Sequence, residues 1–165
     1  MKLSSNGSLD DSFGTGGIVT CSSAYIWQSM WVPPSGPILL SGIGGDNGGD
    51  IVLAEYNTDG SADSSFGTGG ITTYDFDSVY EVTTLTVLTG GQIQVGALSN
   101  VDGCYATVAQ FTSSGVLDTS YGTDGALQFS VPGSPWAMML DSLGNVLVVG
   151  SDGGKLFAAE YDTAG

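Results

Sequence analysis

The chain contains no histidine, no arginine and only two lysines, Lys2 and Lys155, among 165 residues. Without imidazole there is no Ser-His-Asp or Cys-His nucleophilic machinery and no histidine metal ligand. Two cations against 17 carboxylates leave a net charge of −15, so nothing neutralises phosphates and no nucleic-acid partner is expected. Two cysteines cannot hold an iron–sulfur cluster or a four-cysteine zinc site. Cys21 and Cys104 fall in different strands of different repeats, which weighs against a disulfide. No stretch approaches the roughly 18 consecutive apolar residues of a membrane helix, so no membrane span is expected. No apolar region follows Met1-Lys2-Leu3-Ser4-Ser5, as a signal peptide would require. Glutamate is confined to Glu55, Glu81 and Glu160, and helix formers are scarce.

What is present points one way. Hydrophobic residues make up 41% and mean hydropathy is +0.20, so the negative charge does not imply disorder. The length allows one domain with a substantial core. β-branched, aromatic and turn residues dominate, with 27 glycines, which predicts an all-β protein. A surface rich in Ser, Thr, Gly and Asp and almost free of lysine is typical of exported proteins, so an extracellular or cell-surface location is expected.

Internal repetition is the strongest signal. Ser8–Gly17 (SLDDSFGTGG) recurs as Ser61–Gly70 (SADSSFGTGG) and as Val116–Gly125 (VLDTSYGTDG). Its aromatic falls at Phe13, Phe66 and Tyr121. A glycine closing an apolar run recurs at Gly42, Gly96 and Gly150, and a strand ends in an aromatic at Tyr56, Phe111 and Tyr161. Each period reads as four short strands. The first copy gives Ile18–Ser22, Tyr25–Val32, Ile38–Gly44 and Ile51–Asn57. The second gives Ile71–Phe76, Tyr80–Thr89, Gln92–Ser99 and Tyr105–Thr112, and the third Ala126–Val131, Pro135–Asp141, Val146–Ser151 and Lys155–Tyr161. Gly-Gly and Asp-Gly turns separate them. Central runs such as Val146–Val149 are apolar on both faces, as in stacked sheets. The expected fold is three four-stranded antiparallel blades in one domain, 1–165, β-propeller-like. The blade units run approximately 8–60, 61–115 and 116–165, with 1–7 an overlapping partial strand.

The run Asn57–Gly70 (NTDGSADSSFGTGG) resembles the delta-60 repeat of bacterial proteins, and the likeness extends over three copies. The resemblance implies a β-propeller-like fold in large secreted or surface proteins. It implies no enzymatic chemistry, because the family has none generally assigned. Departures are mild: Ala62 for leucine, Tyr121 for phenylalanine and Asp124 for glycine. The arginine usual before the motif is replaced by Lys2, Glu55, Gln110 and Glu160.

Lys2–Gly7 has the repeat phase of Glu160–Gly165, so the chain is expected either to be cut from a longer array or to meet other copies of itself at its ends. Propellers close with about four to eight blades, so three blades form a partial ring whose end faces invite association. Such a contact is heterologous and builds rings or filaments; two copies would complete six blades. The expected function is therefore a non-enzymatic structural or interaction module whose partners are further copies of itself. The alternative is a carbohydrate- or surface-binding module, calcium-assisted, with Trp27, Trp31 and Trp136 offering stacking faces for a glycan. Packing between blades or between copies is the favoured reading of those tryptophans. Asp10, Asp63 and Asp118 loosely echo calcium loops, but turn-capping by their own side chains is the simpler reading. Asp46, Asp50, Asp59, Asp102, Asp152 and Asp162 sit in expected turns, where paired-carboxylate hydrolysis is not expected. No catalytic residue, cofactor or metal site is expected.

Overall fold

The computed structural model describes residues 1–21, 24–45, 49–76, 79–99, 103–141 and 145–162. These residues are all β: eleven strands and no helix. The first sheet is a meander of β1 (Ile26–Trp31), β2 (Ile38–Gly44), β3 (Asp50–Tyr56) and β4 (Ile71–Tyr74). The second follows as β5 (Val79–Val87), β6 (Ile93–Ser99), β7 (Tyr105–Phe111) and β8 (Ala126–Ser130). The third has three strands, β9 (Ser134–Leu140), β10 (Val146–Asp152) and β11 (Lys155–Tyr161). Every pairing is antiparallel.

The sheets are offset from the sequence repeats. The strand after each motif does not open a new sheet; β4 pairs with β3, and β8 with β7, closing the sheet that precedes the motif. The motif turn is what brings it back. Gly70 and Gly125 accept from the N–H groups of Glu55 and Gln110, and those residues accept in turn from Asp63 and Asp118. In the first copy Ile18 makes only an isolated bridge to Thr15, and Val19–Cys21 are not in a strand. In place of the expected strand, the segment around the motif makes isolated bridges, Leu3 to Leu9 and Thr15 to Ile18. The third sheet likewise has three strands rather than four among the described residues. The turns expected at 45–49, 100–103 and 142–145 fall partly outside the described residues.

A β-bulge recurs in the first strand of every sheet. The register skips Gln28 in β1, Thr83 in β5 and Trp136 in β9. Opposite the residue before each bulge lie Gly42, Ala97 and Gly150. The periodic glycine of the second sheet, Gly96, is therefore displaced by one position from its sequence counterparts. At Gly42 a Cβ would run into the Ile26 carbonyl, so this site needs glycine, whereas beside the second bulge the same position holds Ala97. At Gly96 the missing Cβ leaves room for the Met138 methyl of the third sheet.

The sheets stack in one sense. The β1 face carrying Trp31, with Leu39, Leu53 and Tyr74, packs on Val82, Leu85, Val95 and Phe111 of the second sheet. The other face of the second sheet, with Leu98 and Val108, packs on Met138, Val146 and Val148 of the third. Corresponding ring contacts mark the two joints: Tyr74 to Phe111 at 5.2 Å and Phe129 to Tyr161 at 4.9 Å. Gln28 in the first bulge accepts from the Val82 N–H at 2.9 Å, linking the first strands of neighbouring sheets. Each sheet thus offers a front to its successor and a back to its predecessor. β6 is buried along its whole length because it is covered on both sides.

Candidate functional site

The motif loops are structural devices. Asp10, Asp63 and Asp118 each accept through Oδ1 from the backbone N–H and hydroxyl of the serine two residues on (Ser12, Ser65, Ser120). Those bonds hold the carboxyls below the ordinary aspartate range; Asp10, which also meets Lys2, falls to about 2. The motif aromatic fills the turn of the next repeat. Phe66 is buried over Gly115, whose Cβ would lie 2.6 Å from the ring, and Phe13 packs likewise at Gly60. Backbone bonds follow the same path, from Gly14 N–H to Asp59 O and from Gly67 N–H to Ser114 O. The turn that would receive Tyr121 in this way is at Gly165, outside the described residues.

One position beside the motif aspartate differs in each copy. Lys2 forms an ion pair with Asp10 at 2.9 Å. Gln110 donates its amide to Asp118 at 2.9 Å. Glu55 faces Asp63 as a carboxyl pair: burial first, then the Asp63 charge and hydrogen bond, push the Glu55 pKa up to about 7. Among the described residues no three Cys, Asp or Glu side chains converge as metal ligands. Asp46 and Asp102 lie outside the described residues. The three tryptophans do not form one platform. Trp31 borders the core between the first two sheets, Trp27 meets Tyr25 edge-on, and Trp136 is exposed at the third bulge. Cys21 and Cys104 are not bridged to each other.

The surfaces left over are the two outer sheet faces. At one register position the front of the sheets carries Ile51, Ala106 and Leu156, with exposures of 1%, 0% and 79%. On the back, Met30, Leu85 and Met138 correspond, with exposures of 62%, 7% and 5%. The front of the third sheet and the back of the first are therefore apolar faces of the same kinds that pair inside the molecule. The front also exposes Met139, Leu147 and Val149. The back is partly roofed by the segment 1–21, leaving a cavity of about 360 Å³ lined by Met1, Phe13, Met30, Leu40 and Tyr56 among others. Sequence reasoning anticipated apolar end faces. It missed the roof, whose only sequence signal is a motif at Ser8–Gly17 with no complete sheet around it.

Residues 34–66, from the β1–β2 turn through β3 to Phe66, match the family described as "Domain of unknown function (DUF5122) beta-propeller". The chain carries a β-propeller-like repeat. No curated protein and no solved structure matches it. The matched stretch contains the β2–β3 hairpin and the first half of the motif, the parts that fix sheet register and the packing of Phe66. Among the described residues the array is open: three sheets, two outer faces that no sheet covers, no closure.

Proposed function

We propose that this chain is a non-enzymatic structural or interaction module of the delta-60 kind, working outside the cell and assembling head to tail with copies of itself. The observation that carries the reading is the equivalence of its faces. Positions buried in both internal joints are exposed on the front of the third sheet and the back of the first. Large exposed apolar faces mark association sites, and a front pairs with a back, not with another front. The contact is thus heterologous and propagates into a ring or a filament. The lysine-poor, Ser/Thr/Asp-rich composition supports an exported location.

Sedimentation velocity over a concentration series, followed by electron microscopy, tests this. Concentration-dependent species above 16.7 kDa that appear as regular rings or filaments are expected. A stable monomer at every concentration refutes it. Exposed Trp136 keeps a second reading, a carbohydrate-binding module, which glycan arrays with and without a calcium chelator address.

A further inference from the structure

Two incomplete parts of the fold fit each other. The third sheet has strands one to three, and among the described residues nothing pairs with the outer edge of β11. The segment 1–21 has the opposite composition: a complete motif at Ser8–Gly17 and a fourth-strand sequence at Ile18–Cys21, without a sheet. Its place on the first sheet is already that of a fourth strand. Cys21 Sγ lies 3.1 Å from Tyr56 Oη, the counterpart of the Tyr74–Phe111 and Phe129–Tyr161 contacts at the two internal joints. In each internal joint, the residue corresponding to Cys21 belongs to the outer strand of the preceding sheet, Tyr74 in β4 and Phe129 in β8.

We propose that Ile18–Cys21 of one copy adds to β11 of a second copy as its fourth strand, completing the third sheet in trans. The inference rests on the reading of the open faces as a joint between copies. Register follows from the two complete sheets. Ala54 pairs with Ile71 and Ala109 with Ala126, and the strands run on to Ile51–Tyr74 and Ala106–Phe129. The same register sets Ala159 against Ile18, Ala158 against Val19, Phe157 against Thr20 and Leu156 against Cys21. Leu156, exposed on the open front, is then covered as Ile51 and Ala106 are. One exchange accompanies the addition. Lys2 now donates its N–H to Gly17 O and accepts from the Asp10 N–H, the bonds that Glu55 and Gln110 make in their own turns. At the joint Glu160 takes both bonds and Lys2 leaves them, trading its ion pair with Asp10 for a carboxyl pair like that of Glu55 and Asp63, so the count of backbone hydrogen bonds is kept while the edge of β11 gains its partners.

Native Cys21 makes the register testable. In a Cys104→Ser background, Leu156→Cys places a thiol opposite Cys21 of the neighbouring copy. Lys155→Cys places one on the other face of β11, one position away. Mild oxidation of the associated protein is expected to give covalent multiples of 16.7 kDa with Leu156→Cys, at least about tenfold more than with Lys155→Cys. Equal cross-linking from both positions, or association with no cross-link, overturns strand addition while leaving face-to-face docking standing. A cross-link confined to single chains overturns the second copy as donor. Absence of association in the unmodified protein overturns both this inference and the reading on which it rests.

Discussion

Glu55→Gln should stabilise the protein at pH 8 and remove a pH dependence that the wild type shows. Glu55 sits where Gln110 sits in the next repeat, beside a motif aspartate. Gln110 donates an amide N–H to Asp118, whereas Glu55 must stay protonated to donate to Asp63. Its pKa is raised from 4.5 to about 7. Below pH 4.5 folded and unfolded chains both hold the proton, so nothing is lost. Between pH 4.5 and 7 the unfolded chain releases it while the folded chain keeps it, and stability falls as pH rises; above pH 7 the loss is complete. The unscreened size is about 3.5 kcal/mol at ~1.4 kcal/mol per unit. The turn borders solvent, and screening reduces this to about 1.5 kcal/mol. That corresponds to roughly 3–6 °C in Tm for a domain of this size. The assay is thermal unfolding of wild type and variant from pH 4.5 to 8. The difference between the two curves should open with rising pH, with the variant higher at pH 8. Parallel curves, or a variant that is less stable at pH 8, would refute the assignment of a shared proton between Glu55 and Asp63.

Other consequences follow from particular contacts. Phe66→Ala empties the space over Gly115 and should cost about 3–5 kcal/mol in chemical denaturation. Gly115→Ala combines a φ of +79° with a Cβ 2.6 Å from the Phe66 ring, and should cost about 2–4 kcal/mol by the same assay. The Ser41 hydroxyl is buried without a hydrogen-bond partner among the described residues, so Ser41→Ala should raise stability by about 1 kcal/mol.

The repeats, the all-β class and most strand positions were legible in the chain because markers such as Phe13, Phe66 and Tyr121 keep one period. The grouping of strands into sheets was not. Periodicity shows that Ile71–Tyr74 follows the motif but not which neighbour it joins; that is decided by the Glu55–Gly70 and Asp63–Glu55 backbone bonds across the turn. The glycine marker was misleading at Gly96, because bulges set the sheet register and place Ala97 where Gly42 and Gly150 stand. The role of the motif aspartates was readable from Asx-turn chemistry, since each has a serine two residues on. The Glu55–Asp63 pair was not, because its residues are eight apart and meet only when the motif folds back on β3.

Between copies, one front is proposed to meet one back. This joint is tested most directly by sedimentation of two variants, alone and mixed. Leu156→Asp spoils the front and Met30→Asp the back, both at exposed positions that leave the internal joints intact. Burying a side chain of this size contributes about 1.5–3 kcal/mol, so each variant alone should lose at least about tenfold in association. Mixed, each supplies the face the other lacks, and a single two-chain species at twice 16.7 kDa with nothing larger is expected. Wild-type protein that remains at 16.7 kDa throughout, or variants that assemble as the wild type does, would contradict it.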